Sequence, residues 1–293
     1  MSIEASFPRQ EIHKDKRVIV REGSVGIWGH QVDVRVTQPN PFLIEPNEEQ
    51  PIVIANGFTE GHRIFGRFAR HLATEYGQTV VTFDHAHSNG DQDPLNHKAN
   101  GLHEVISEVT DATSGQVTVI GHSDAGTYGT AVVHDTLFKD SPLVSGLTLA
   151  APAGMTDMSI RKQLVGFAKE GVELFHPKNS HRLSRLARPL AHSGLYLASN
   201  LPRRYREGAA ITHVHSASWL KDVSQEIPTA VIGFEDDRVI PAEEIRAAIA
   251  GYGIAYHQLP GTHASIIDDS KSQDAIYNIH MDQLSSDPYS TAS

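Results

Sequence analysis

Residues 116–128 of this 293-residue chain read Q-V-T-V-I-G-H-S-D-A-G-T-Y. The run 117–120 is apolar and rich in β-branched side chains, which is typical of a buried central strand. Small residues at 121, 125 and 126 allow a sharp turn, after which a helix is predicted as far as Leu137. The stretch therefore predicts a strand and a helix that pack closely around a tight turn.

Ser123 lies at the apex of this predicted turn. A strand–turn–helix unit is the context in which a G-x-S-x-G motif becomes a nucleophile elbow, a strained turn that exposes the serine hydroxyl. The motif here is G-x-S-x-A, with Ala125 in the last position and Gly126 directly after it. The alternative interpretation is an ordinary loop, rich in serine and glycine, that ends a strand.

The position of this unit along the chain supports the first interpretation. Its strand is the fifth of the predicted strands, after those at 18–20, 32–36, 51–55 and 78–83. In this position the unit resembles the corresponding part of the α/β-hydrolase family. The resemblance covers residues 17–152 and 227–281, and it implies an α/β fold with a mostly parallel central sheet, helices on both faces and a helical cap insertion.

The rest of the chain fits that architecture. Predicted strands alternate with helical patterns of about 10–18 residues, which indicates a parallel sheet with helices on both faces. Later strands are predicted at 143–150, 229–233 and 255–259, and a final helix from Ala264 to Met281. Residues 1–16 are polar and predicted to be loose. The predicted units are a core of 1–152, a helical cap of 153–226, a second core part of 227–281 and a flexible tail of 282–293.

Composition excludes several classes of function. With 39% hydrophobic residues and no apolar run near the ~18 residues that cross a bilayer, we expect a soluble protein without a membrane span. The first residues lack the basic and apolar regions of a signal peptide, so we expect a cytoplasmic protein. Absence of cysteine excludes disulfides and thiolate catalysis. A net charge of −10 argues against nucleic acid as a partner.

A serine hydroxyl needs a neighbouring base, and that base needs an acid to orient it. The family resemblance implies the chain order Ser, acid, His. The acid loop follows a predicted strand and reads G-F-E-D-D-R-V-I-P, in which Asp237 lies four residues before the proline. Asp236 is the alternative, one position earlier. His263, one of 18 histidines, follows the last strand in a P-G-T-H turn and is the implied base.

The family resemblance also implies two backbone donors for the oxyanion of the reaction. One is the N–H of Asp124, directly after the serine. The other comes from the loop that begins at Asn56, where the family commonly has histidine. Phe58 is the preferred donor in that loop, and Thr59 is the alternative.

Histidine pairs suggest a competing metal site. His85 and His87, with Asp84, Asp91 and His97 nearby, have ligand-like spacing, and His213 and His215 repeat it. The first group is also a degenerate form of the loop that follows the fourth strand in the resembled family. We therefore predict no metal and no cofactor.

The predicted function is a serine hydrolase that cleaves a small or medium carboxylic ester through an acyl-enzyme, with a small-molecule ester as its partner. A thioesterase, an amidase or a carbon–carbon hydrolase would use the same residues, and so would a non-catalytic ligand-binding or sensor protein. The sequence gives no indication of oligomeric state.

The predicted cap is expected to line the acyl pocket. Candidate pocket residues are Phe167, Phe175, Leu195 and Tyr196. Residues 153–226 carry a net charge of +5, against −15 for the remainder. This excess would suit an anionic substrate such as an acyl-CoA, although a solvated helix face explains it as well. The arginines concerned are Arg182, Arg185, Arg188, Arg203, Arg204 and Arg206.

Overall fold

The computed structural model describes residues 6–7, 9–12, 16–27, 30–57, 62–84, 93–137, 142–156, 159–174, 209–210 and 214–286. The described residues form one sheet of nine strands: β1 (Arg9–Ile12), β2 (Val18–Ile27), β3 (His30–Pro39), β4 (Ile52–Ala55), β5 (Val80–Phe83), β6 (Val117–His122), β7 (Val144–Ala150), β8 (Thr229–Phe234) and β9 (Ala255–Leu259).

The described helices are α1 (His62–Glu75), α2 (Pro94–Thr113), α3 (Ala125–Leu137), α4 (Ile160–Leu174), α5 (Ala217–Glu226), α6 (Ala242–Ala248), α7 (Ser265–Asp268) and α8 (Ser270–Ser285). None of these helices is long and apolar enough to cross a membrane.

The strand order is β1-β2-β3-β5-β4-β6-β7-β8-β9. Strands β1 to β3 pair antiparallel, and β3 joins β5 antiparallel. All later pairs are parallel. Because parallel strands point the same way, the loops after β4, β6, β8 and β9 emerge at one edge of the sheet.

Helices cover both faces of this sheet. In β4, Val53 and Ala55 belong to one core cluster with α2, α3 and α5, whereas Ile52 and Ile54 belong to another with α1, α7 and α8. Every residue of the strand is buried, which is why its sequence reads as a continuous apolar run. The predicted α/β architecture is confirmed.

The structure departs from the predicted elements in several ways. Strands β2 and β3 are longer than the predicted 18–20 and 32–36. Strand β1 lies in the segment predicted to be loose, and it forms through backbone pairing with β2. The final helix is interrupted at Asp269, whose carboxylate accepts from the Ser272 N–H and caps α8. It also continues to Ser285, so residues 282–285 are helical instead of part of a flexible tail.

Two helices, α4 and α5, lie in the insertion between β7 and β8. Helix α4 covers nearly all of residues 164–175, whose apolar spacing predicts a first helix in the cap. Helix α5 falls within the predicted cap range, but its Leu220 and Val223 are fully buried in the core cluster that includes α3. The second predicted cap helix, near residues 183–197, lies outside the described residues.

A buried histidine ties α8 to the middle of the sheet. His280 makes hydrogen bonds through Nε2 to Thr118 Oγ1 on β6 and through Nδ1 to Thr148 Oγ1 on β7, both 2.9 Å long. Complete burial lowers the pKa of His280 from 6.5 to about 4, because the charged form loses its hydration. The imidazole of His280 is therefore mostly neutral in the folded protein above about pH 4.

We predict that the free energy of unfolding decreases as the pH falls from 6.5 towards 4. In that range the unfolded state binds a proton at His280 that the folded state excludes, and the difference corresponds to about 3 kcal/mol. Denaturant titrations at several pH values should show that the free energy of unfolding changes less with pH in His280→Gln than in wild type. Parallel curves for wild type and variant would contradict the assignment, and His103→Gln, on the partly exposed side of α2, is the matched control.

Candidate active site

Three side chains from three loops form a hydrogen-bonded chain at the carboxyl edge of the sheet. His263 Nε2 lies 3.0 Å from Ser123 Oγ, and His263 Nδ1 lies 2.8 Å from Asp237 Oδ2. Each of the three residues is at most 5% exposed. The three residues selected from the sequence are thus brought together, with the imidazole bonded to the serine on one side and to the carboxylate on the other.

Ser123 occupies a strained turn between β6 and α3. Its φ of 57° lies in the left-handed region, which non-glycine residues rarely adopt. Its N–H donates to the Ala150 carbonyl, and its own carbonyl accepts from the Ala153 N–H. The loop after β7 therefore holds the serine backbone on both sides.

Little space is left beside the two glycines on either side of that turn. A Cβ at Gly121 would lie 2.8 Å from the Leu149 side chain, and one at Gly126 would lie 2.4 Å from Pro152. Both distances are shorter than real carbon contacts allow. At Gly126 the atoms approached belong to Pro152 and the Ala153 backbone in the loop after β7, so a side chain does not fit there, whereas at Gly121 the close atom is the end of the Leu149 side chain on β7.

The acid loop is fixed by its own carboxylate. Asp237 Oδ1 accepts from the N–H groups of Val239 and Ile240, both at 2.8 Å, which leaves Oδ2 for His263. Asp236 is exposed, and its N–H donates to the Gly261 carbonyl. Of the two neighbouring carboxylates, Asp237 is therefore the one that contacts the histidine.

His122 holds the loop of His263 in place, a contact that the sequence did not reveal. Its Nε2 lies 3.0 Å from the His263 carbonyl oxygen, to which an N–H on that nitrogen donates. The two rings lie 4.8 Å apart, and the Phe65 ring meets His122 edge-on. His122 is fully buried, so its side chain belongs to the support of the site.

The loop that follows β4 begins with a residue fixed from two sides. The side-chain amide of Asn56 donates to the backbone carbonyl of Phe83. The backbone carbonyl of Asn56 accepts from the Tyr128 hydroxyl at 2.7 Å. This asparagine thus orients the start of the predicted oxyanion loop. Phe58 and Thr59, the predicted donors in that loop, lie outside the described residues, and the predicted donor Asp124 begins the turn into α3.

A buried ion pair lies beside the nucleophile position. Lys98 Nζ on α2 contacts Asp124 Oδ2, and the two side chains are 4% and 1% exposed. The ammonium also lies 5.7 Å from the centre of the Tyr128 ring. A paired carboxylate does not place a net charge next to Ser123, which explains how an aspartate is tolerated there.

Helix α4 covers the histidine from the side of the insertion. The Phe167 ring lies 5.6 Å from the His263 ring, perpendicular to it. Phe167 therefore lies beside His263, and its part in a substrate pocket stays a prediction. The other three pocket candidates, Phe175, Leu195 and Tyr196, and the six predicted arginines lie outside the described residues.

The histidine pairs of the alternative metal site are only partly described. His97 is buried on α2, and Asp84 donates its N–H to the Asp33 carbonyl. His85, His87, Asp91 and His213 lie outside the described residues. Within the described ranges, no group of three or more His, Asp or Glu side chains is arranged to hold a metal ion.

Known protein families and solved structures resemble this chain. A family model described as "Alpha/beta hydrolase family" matches residues 52–273. An esterase from Exiguobacterium antarcticum is 16% identical, with a TM-score of 0.62 over 88% of this chain and 98% of its own. An enol-lactonase from Burkholderia xenovorans LB400 is also 16% identical, with a TM-score of 0.62 over 88% of this chain and 99% of its own.

A deformylase from Pseudomonas putida S16 is 14% identical, with a TM-score of 0.60 over 87% of this chain and 99% of its own. At this identity the similarity to the three structures concerns the fold. A search of curated proteins gave no match.

We predict that Lys98→Met lowers the free energy of unfolding by about 3–5 kcal/mol, because it leaves the Asp124 carboxylate buried without its cation. Adding Asp124→Asn should recover most of that loss, since the uncompensated charge is removed. Denaturant unfolding of the single and double variants measures both effects. A Lys98→Met protein as stable as wild type would show that the pair is not buried as described.

Proposed function

The chain belongs to the alpha/beta hydrolase family, and on that premise we propose that it is a serine hydrolase that cleaves a small or medium carboxylic ester through an acyl-enzyme. The observation that carries the proposal is the continuous hydrogen-bonded chain from Ser123 Oγ through the His263 ring to Asp237 Oδ2. Burial of all three groups keeps bulk water from competing for these bonds.

The first half of the reaction forms the acyl-enzyme. His263 Nε2 takes the proton of Ser123 Oγ as that oxygen attacks the ester carbonyl carbon. The tetrahedral intermediate then collapses, the bond to the alkoxy oxygen breaks, and Nε2–H gives its proton to the leaving alcohol. Asp237 accepts from Nδ1–H throughout, which fixes the tautomer and stabilises the imidazolium.

The second half repeats the chemistry with water. His263 removes a proton from a water molecule that attacks the acyl carbon, and the proton returns to Ser123 Oγ as the carboxylic acid leaves. The proposed oxyanion donors are the N–H groups of Asp124 and Phe58. Donors of this kind are typically worth ~10²–10³ in rate.

Two observations support an acyl substrate with an apolar acyl group. Known structures with this fold include an esterase, an enol-lactonase and a deformylase, and the first two make an oxygen ester our preferred substrate. The aromatic ring of Phe167 lies directly against the proposed base, which suits an apolar acyl group. We propose that Phe175, Leu195 and Tyr196 complete that pocket.

We expect Ser123→Ala to abolish ester hydrolysis and to leave the fold intact, because the hydroxyl adds no packing that the elbow needs. Initial rates with chromogenic esters of increasing acyl length, together with circular dichroism, measure both properties. More than a few per cent of wild-type activity in the folded variant would contradict the role of Ser123.

For the acid, we expect Asp237→Asn to lower kcat by about 10⁴, as removal of the orienting carboxylate does in serine proteases. Asp236→Asn is the matched control, since that side chain is exposed and contacts neither His263 nor Ser123. Its kcat should stay within about twofold of wild type. A larger loss in Asp236→Asn than in Asp237→Asn would contradict the assigned acid.

A further inference from the structure

Glu170 on α4 connects the insertion directly to the loops that carry the acid and the base. Its Oε1 lies 3.2 Å from the backbone nitrogen of His263 and 3.2 Å from that of Arg238, and both N–H groups donate to it. One carboxylate oxygen thus joins the loop after β9 to the loop after β8. The proposed chemistry does not require this residue, and its position in the sequence did not identify it.

The helix approaches these loops closely enough for that contact because residue 166 is glycine. A Cβ at Gly166 would lie 2.2 Å from the Arg238 carbonyl oxygen. Gly166, Phe167 and Glu170 are spaced i, i+1 and i+4, so they share one face of α4. That face presents the glycine to Arg238, the aromatic ring to His263 and the carboxylate to both loops.

The charge on Glu170 interacts with the groups around it. Burial is the main cause that raises the pKa of Glu170, and the negative charge of Asp237 adds to it. The charge of His263 and the two N–H bonds oppose the rise. Arg238 is exposed, and Lys169 beside Glu170 on α4 is exposed as well. The carboxylate therefore interacts chiefly with the imidazole and with Asp237.

We propose that Glu170 is a positioning residue for the base of this site: it holds the His263 and Asp237 loops in register under α4, and its negative charge stabilises the imidazolium. The inference rests on the proposed function. By reciprocity, a carboxylate that is stabilised by a charged His263 must itself favour the protonated form of that ring.

The acceptor and the charge can be separated by substitution. Glu170→Gln keeps an oxygen that can accept from both N–H groups but removes the charge, whereas Glu170→Ala removes both. Loss of the charge should not destabilise the fold at neutral pH. The raised pKa means that the ionised form is disfavoured in the folded state, so its cost is present above the unfolded pKa of about 4.5.

The matched control is an ion pair between α4 and the core. Lys162 Nζ on α4 contacts Glu244 Oε1 on α6, and neither residue belongs to the proposed triad. Glu244→Gln removes this contact and leaves the His263 loop untouched. The rates of this variant show how much activity is lost when a contact of α4 that does not involve the His263 loop is removed.

The test is the rate constant for labelling of Ser123 by a fluorophosphonate, measured from pH 5 to 9 alongside ester hydrolysis. In labelling, Ser123 Oγ bonds to phosphorus and fluoride leaves, so the rate reports activation of the serine without any assumption about the natural acyl group. We expect Glu170→Ala to lower the plateau rate about 10-fold or more, because the base is misplaced.

Glu170→Gln should keep the plateau within about threefold of wild type, and its acidic limb should move to lower pH by roughly one unit, because the imidazolium has lost a neighbouring charge. Glu244→Gln should match wild type at every pH. In ester hydrolysis, the loss in Glu170→Ala should fall on kcat more than on KM.

Four results would overturn the positioning role. For Glu170→Ala it is a plateau labelling rate equal to wild type, and for Glu170→Gln it is an acidic limb at the wild-type pH. The other two are equal losses of plateau rate in both Glu170 variants, and a loss in Glu244→Gln as large as that in Glu170→Ala. Should Glu170→Ala fail to fold, the acidic limb of Glu170→Gln still decides. A wild-type protein that is not labelled at any pH would contradict the proposed function itself, and the positioning role with it.

Discussion

The backbone of Ser123 is held in the left-handed region by close packing, and the rest of the site depends on that turn. The start of α3 approaches the loop after β7 so closely that a Cβ at Gly126 would meet Pro152 and the Ala153 backbone, and a Cβ at Gly121 would meet the Leu149 side chain on β7. The conformation is strained, and the bonds from Ser123 to Ala150 and Ala153 maintain it. The hydroxyl is thereby presented at the edge of the sheet instead of being buried within it.

Parallel strands then bring the remaining groups to the same edge. The loops after β8 and β9 each carry one partner of Ser123, and each loop is fixed by bonds outside the proposed triad: Asp237 by two N–H groups of its own loop, His263 by His122 and Glu170. If His263 is the base, as we propose, it needs little reorganisation when its charge changes. The geometry of the site is thus a property of the scaffold and of α4 together.

The G-x-S-x-A motif, with the chain order that the family resemblance implies, selected Ser123, Asp237 and His263, and the structure brings these three side chains together in the loops after β6, β8 and β9. Their roles in a reaction stay predictions. Partners that depend on tertiary contact were missed. Lys98 lies on α2, which begins at Pro94 after the N-cap Asp93, but the sequence pattern does not show that its ammonium meets Asp124. Glu170 lies within the predicted helical cap, but periodicity does not reveal which face of its helix meets the histidine loop.

In the proposed reaction, Ser123 carries the acyl group from the acylation step to the attack by water. A nitrophenyl ester, whose good leaving group makes acylation fast, can be mixed with the enzyme, quenched in acid within the first turnover and analysed by peptide mass. We predict a burst of nitrophenol and a peptide containing Ser123 that is heavier by the mass of the acyl group. Steady hydrolysis without a burst, with that peptide unmodified, would contradict it.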